Sequence, residues 1–216
     1  MTALGILETT GCTPAMVALD AMEKASYIRV VQAELNDFLG VCIKFRGGPE
    51  QVRIALEAGL TRATELHGQP VGFVFLRVDD QAWKAIHSPP EFNPLIQQDV
   101  VHQPNFEYST DRKDDGMTPP DALGFIETQG FTAVFAAIDA ACKAANIEVV
   151  GKEKLGGGYV TVIIQGDVAA VRAAVESAVS HIEGLGKLIA SHVVTRPSEG
   201  VLSLLPKASL FNTSSS

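Results

Sequence analysis

Apolar positions along the second half of the chain alternate between two periods. Ala122 to Thr128 is a short apolar block, the pattern of a first strand. From Thr132 to Ala145, apolar side chains recur at Val134, Ala137, Ile138, Ala141 and Ala145, the spacing of an amphipathic helix. Ile147 to Val150 opens a β-branched strand, and Gly156-Gly157-Gly158 marks a turn that needs backbone freedom. Tyr159 to Ile164 is a second β-branched strand. Asp167 is placed to cap a helix reaching about Glu183, with Val171, Ala174, Val175, Ala178 and Val179 on its inner face. Leu188 to Thr195 returns as a last strand. The order β-α-β-β-α-β predicts an α/β (α+β) unit, a sheet with two helices packed on it in a split β-α-β arrangement.

The first half repeats this plan. Ala3-Leu4-Gly5-Ile6-Leu7-Glu8-Thr9 recurs as Ala122-Leu123-Gly124-Phe125-Ile126-Glu127-Thr128, an offset of 119 residues. The same offset carries Asp20-Ala21 onto Asp139-Ala140, Lys24-Ala25 onto Lys143-Ala144, and Val30-Val31 onto Val149-Val150. It still holds from Arg77 to Arg196 without a gap, with about a third of the positions identical. In copy one, Gly47-Gly48-Pro49 opens the second helix. The chain therefore divides into a first domain at 1–77, a connector at 78–121, a second domain at 122–207 and a tail at 208–216, expected to fray.

The connector differs in composition. It holds His87-Ser88-Pro89-Pro90, Pro94, Pro104 and Thr118-Pro119-Pro120. Asp80 to His87 is expected as a short helix, with Trp83 against domain one, and the rest as extended chain covering one face of that domain. Of the net charge of −8, the connector contributes 3 basic and 9 acidic residues, so the two domains are nearly neutral. With no basic face to neutralise phosphates, nucleic-acid binding is not expected. Apolar runs are only a few residues long, so no membrane helix is expected, and the first residues carry no secretory pattern.

Candidate chemistry is sparse. Cys12, Cys42 and Cys142 are scattered, without a CxxC pair, and read as free, mostly buried thiols. His67, His87, His102, His181 and His192 show no metal spacing, and surface or packing roles are expected for them. There is no GxSxG elbow and no phosphate loop. The triple glycine joins two strands and leads into no helix, so it is not a dinucleotide fingerprint. Glu8 and Glu127 stand at equivalent strand ends, where hydrogen bonding to nearby backbone is the expected role. Lys24 and Lys143 end equivalent helices, four residues after Asp20 and Asp139, which allows intrahelical pairs. No catalytic residues, metal site or cofactor are expected.

These segments resemble a known family. Ala122 to Thr128, Asp139-Ala140, Lys143-Ala144-Ala145-Asn146, Lys152-Glu153-Lys154-Leu155-Gly156-Gly157-Gly158 and Arg196-Pro197 look like the bacterial microcompartment shell domain. The resemblance covers nearly all of domain two, and the repeat extends it to domain one. It implies a tandem-domain shell protein, with both domains in the standard, non-permuted strand order. It implies homotrimers whose six domains make a pseudohexagonal tile, meeting other shell proteins edge to edge around encapsulated enzymes in the bacterial cytoplasm. It further implies a central pore for small metabolites, lined by Leu155, Gly156, Gly157 and Gly158 of domain two and Asn36, Asp37 and Phe38 of domain one. Lys24, Arg77, Lys143 and Arg196 are the implied tile-edge contacts. Domain one departs from the pattern, with Asp37 and Phe38 where domain two has Gly156 and Gly157, and Val78 in place of Pro197. Two other readings follow from similar folds: a redox or cofactor-binding shell protein, and a free trimeric metabolite-binding regulator. The first calls for a loop cysteine, and Asp37 stands there instead.

Overall fold

The computed structural model describes residues 2–36, 39–105 and 120–206. Domain one runs β1 (Ala3–Thr10), α1 (Cys12–Ala25), β2 (Arg29–Asn36), β3 (Gly40–Gly47), α2 (Pro49–Glu65) and β4 (Val71–Phe75). The connector holds α3 (Asp80–Ile86) and the short strands β5 (Phe92–Asn93), β6 (Gln98–Asp99) and β7 (Val101–His102). Domain two runs β8 (Ala122–Gln129), α4 (Phe131–Ala144), β9 (Glu148–Gly156), β10 (Tyr159–Gly166), α5 (Val168–Ser180) and β11 (Lys187–Thr195), followed by α6 (Glu199–Ser203). The order β-α-β-β-α-β appears twice, as the hydrophobic pattern predicts. Pro49 sits in the first turn of α2, where its missing N–H costs nothing. Asp167 accepts from Ala169 and Ala170 N–H to start α5. That helix stops at Ser180 rather than near Glu183, because the His181 N–H turns back to Ala178 and Val179 carbonyls.

The two sheets are antiparallel and share one order, β4-β1-β3-β2 in domain one and β11-β8-β10-β9 in domain two. Side chains alternate across each strand, so each sheet has two faces. One face of domain two's sheet packs on its own helices, with Ile126, Val134, Val162, Ile164 and Val171 in that core. The opposite face carries Leu123, Phe125 and Ile163, and these join the core of domain one. Helix α1 is the shared layer: it packs on its own sheet and also against β8 and β11. Domain two's sheet is therefore buried on both faces, which explains why every residue from Ala122 to Thr128 is buried.

The connector does more than the expected extended chain. As expected, α3 forms, and Arg46 stacks over the Trp83 ring at 3.8 Å. In addition, β5 and β6 pair, and β7 adds a fifth strand to domain one beside β2. Lys44 lies beneath this segment, paired with Glu34 at 2.6 Å and donating to the Ile86 carbonyl. Gln32 exchanges hydrogen bonds with Ser88. Gln98 reaches across to domain two, donating to Glu153 Oε2 and the Lys154 carbonyl, each at 2.9 Å, and accepting from Lys154 N–H at 3.0 Å. Helix α3 is also the repeat counterpart of α6, so the structural duplication extends past Arg77 and Arg196. Sequence similarity between the two short helices is too low to reveal this.

Two stability tests follow from this packing. A Cβ on Gly5 would stand 2.2 Å from the fully buried Phe45 ring. Gly5→Ala should therefore cost about 1–3 kcal/mol, read as a lower urea midpoint. The second concerns Glu153, which is buried; burial pushes its carboxyl up to about 8, with the Gln98 amide opposing and Asp99 adding to the rise. Between the ordinary value of 4.5 and about 8, the unfolded chain gives up a proton that the folded chain keeps. This group's contribution is therefore present at low pH and is lost as pH rises through that window. His102, 4.0 Å away and pushed down by burial, acts in the opposite sense, its contribution being lost as pH falls. Glu153→Gln, which keeps an acceptor for Gln98, should gain thermal stability over the parent as pH rises from about 5 to about 8.

Candidate pore loops and assembly surfaces

The β9–β10 loop turns on three glycines, all at positive φ: Gly156 at 87°, Gly157 at 56° and Gly158 at 83°. An L side chain resists this region, which is the physical reason for the triplet. In domain one the equivalent of Gly158 is Leu39, at φ 63°, a conformation that costs a residue with a Cβ about 1–2 kcal/mol. One hydrogen bond holds the turn in both copies: Gly11 N–H donates to the Leu39 carbonyl, and Gly130 N–H to the Gly158 carbonyl. The two loops also meet, since a Cβ on Gly157 would stand 2.9 Å from Leu39 Cδ2. Gly156 faces open space. Gln98 clamps the β9 backbone at Lys154, immediately before the loop.

The other loop residues behave differently. Leu155 was expected to line an opening, but its side chain is buried in the core shared by the two domains. Strand alternation explains this burial: Leu155 points to the same side as the apolar residues facing domain one, with its backbone at the loop. Asn36 closes the domain-one turn, accepting from Gly40 N–H at 2.8 Å and donating to Glu8 Oε1 at 2.7 Å. Asp37 and Phe38 lie outside the described residues.

The acidic residues at the strand ends have partners that sequence spacing does not reveal. Glu127 is completely buried, and its two oxygens accept from Cys12 N–H and Thr13 N–H, each at 2.9 Å. These groups begin α1, whose N-cap residue, Gly11, has no side chain to offer. A carboxylate of domain two thus caps a helix of domain one, where the helix dipole favours negative charge. Burial pushes the Glu127 carboxyl up, and the two backbone donors pull it back. Glu127 thus bonds backbone as expected, but backbone 114 and 115 residues away, whereas the bond at Glu8 comes from the Asn36 side chain. Further down α1, Asp20 accepts from Ser198 N–H and Glu23 from Gly200 N–H, which caps the start of α6. Arg62 of α2 meets the His192 ring at 3.3 Å.

The basic residues divide into two settings. Lys24 and Lys143 pair with Asp20 and Asp139 at 2.6 and 2.5 Å, as their spacing predicts. Lys24 also donates to the Thr195 carbonyl across the domain boundary, while Lys143 is more exposed. Arg77 and Arg196 are exposed, and Arg196 adopts φ 48°. Cys12 is buried and Cys42 partly so, but Cys142 is exposed, against the expectation of mostly buried thiols. It stands on the solvent side of α4, while its counterpart Glu23 is covered by α6. Burial raises the Cys12 thiol well above its ordinary value and pushes Cys42 up to about 11. Among the described residues, no group of three or more His, Cys, Asp or Glu is placed to hold a metal ion. Nor is any helix among them long and apolar enough to cross a membrane.

Comparison with known proteins places this geometry in a family. The BMC domain model matches twice, at residues 3–77 and 122–197. The bacterial microcompartment shell protein PduA of Citrobacter freundii is 47% identical over 87 residues, 40% of this chain and 94% of its own length. The carboxysome shell protein CcmK2 of Thermosynechococcus vestitus is 45% identical over 89 residues, 40% of this chain and 87% of its own. The carboxysome assembly protein CcmO of Synechococcus sp. is 29% identical over 206 residues, 95% of this chain and 69% of its own. The repeat in the sequence, the doubled β-α-β-β-α-β fold and these matches have one explanation: the chain belongs to the BMC-domain family of microcompartment shell proteins and carries the domain twice in tandem.

Proposed function

We propose that the chain is a structural building block of a microcompartment shell in the bacterial cytoplasm, a homotrimeric tile with a central pore, and not an enzyme. The observation that carries this reading is the way its two domains meet. They are copies of one another, yet they touch through different surfaces: α1 of domain one on the sheet of domain two. A head-to-tail contact of this kind leaves its complementary surfaces open at both ends, and repeating it between copies gives a ring when the rotation closes, as the family resemblance implies here. Six domains in the ring correspond to three chains, the tile implied by the family resemblance.

In such a ring the β2–β3 and β9–β10 loops alternate around the axis. The contact of Leu39 with Gly157 supports a shared axis, and Gly156 leaves room beside it. The resemblance adds Asp37 and Phe38 to the same opening, which would make it acidic and narrow, suited to small metabolites other than anions. Lys143 and Arg196, both exposed, fit the outer edge, where tiles meet other shell proteins. Lys24 and Arg77 are their domain-one counterparts.

Sedimentation equilibrium should show three chains per particle at micromolar concentration, and a stable monomer there would defeat the reading. Lys143→Ala should leave that particle intact while reducing sheet formation seen by electron microscopy. An exposed charge on a helix surface contributes little to the fold, so the unfolding free energy should change by less than about 0.5 kcal/mol.

A further inference from the structure

The chain contains one complete contact and both halves of an unmade copy of it. In the complete contact, Cys12 and Met16 of α1 are 1% and 7% exposed against domain two, and Glu127 caps the helix. The repeat places Phe131 and Phe135 of α4 where Cys12 and Met16 stand. These two are 44% and 51% exposed, with their rings 6.0 Å apart. Like α1, α4 begins at a glycine, Gly130, with no capping side chain. Helix α6 buries Val201, whereas its counterpart α3 buries nothing.

The receiving surface is equally open. Glu8 stands where Glu127 stands in the other copy, held by Asn36 at the end of β1. Ile6 and Phe73 are register partners on the Glu8 face of the sheet, where domain two has Phe125 and His192. Phe73 is 61% exposed and meets Phe75 edge to face at 4.8 Å. The connector covers only the other half of this face, over Lys44 and Gln32. An apolar half-face and two aromatic side chains therefore lie at opposite ends of one chain, at positions that already pack together once inside it.

We propose that α4 of a second copy of this chain docks on the Ile6–Phe73 half of domain one's sheet, and that Glu8 caps it by accepting from the Phe131 and Thr132 backbone N–H groups. The proposal rests on the ring reading and names the residues that close the ring. The carboxylate supplies charge-assisted hydrogen bonds at a helix N-terminus, and the two phenylalanines supply apolar area. The aromatic side chains also give direction. Cys12 and Met16 of α1 would leave the Phe73 surface poorly filled, so this face selects α4, and the two kinds of domain alternate.

The test uses full-length chain and two readouts: sedimentation equilibrium, and hydrogen exchange at the amides of residues 131–132 and 12–13. Glu8→Ala should raise the concentration needed for assembly by about tenfold or more. It should also speed exchange at Phe131 and Thr132, while Cys12 and Thr13, capped by Glu127, stay protected. Glu8→Gln, which retains an acceptor oxygen, should recover part of the protection. Phe135→Asp alters a side chain that is exposed in the single chain, and should give a folded monomer with the parent's secondary structure and an unfolding midpoint that no longer depends on protein concentration. If Glu8→Ala assembles and exchanges like the parent, the cap is wrong while the ring reading stands. If Phe135→Asp assembles normally, α4 is not the docking element. A monomeric parent would defeat the ring reading itself.

Discussion

The two domains are held in one orientation by a carboxylate that serves a helix it does not belong to. Glu127 lies near the end of a buried run on β8 and faces the first turn of α1, whose own cap residue is a glycine. Leaving those N–H groups unpaired in an apolar seam would be costly, and so would burying the carboxylate alone. Each need is met in large part by the other, so the cap favours one relative position of the domains. The surrounding apolar contact of α1 with Leu123, Phe125 and Ile163 is broad but has little directional preference by itself. Shape and burial supply most of the driving force, and the cap selects the register.

The connector acts on the same seam from the other side. A link between duplicated domains needs only length, yet this one adds β7 to the first sheet and sends the Gln98 amide to β9 of the second. The amide meets Lys154 with both a donor and an acceptor, just before the triple-glycine turn. The turn has no side chains of its own, and its restraints are the Gly130 N–H donated to the Gly158 carbonyl and the Gln129 amide donated to the Gly157 carbonyl. Its position is set by the strand leading into it and by the Leu39 side chain beside Gly157. Such an arrangement allows the loop sequence to vary while its place relative to the other domain is kept.

The internal repeat also makes the single chain informative about its assembly. Equivalent residues have different surroundings: Asp20 is largely covered while Asp139 is open, and Val201 is buried while its counterpart in α3 is not. Chemistry is similar at each pair, so the difference reports the missing neighbour rather than the residue. A domain that occurred once would give no such internal comparison.

The sequence by itself determined the secondary structure of each domain and the duplication. Hydrophobic periodicity is a local property, and turn glycines, Pro49 and Asp167 act on the chain within a few residues of themselves. It also marked Glu8, Glu127 and the glycine loop as matched positions. Tertiary structure alone decided what those positions meet. The partners of Glu127 are more than a hundred residues away, and the burial of Leu155 depends on which face of β9 turns towards domain one. Likewise, β7 and Gln98 lie in a proline-containing stretch whose pattern carries no strand period. Their order comes from an open sheet edge and a buried carboxylate that only the assembled fold presents.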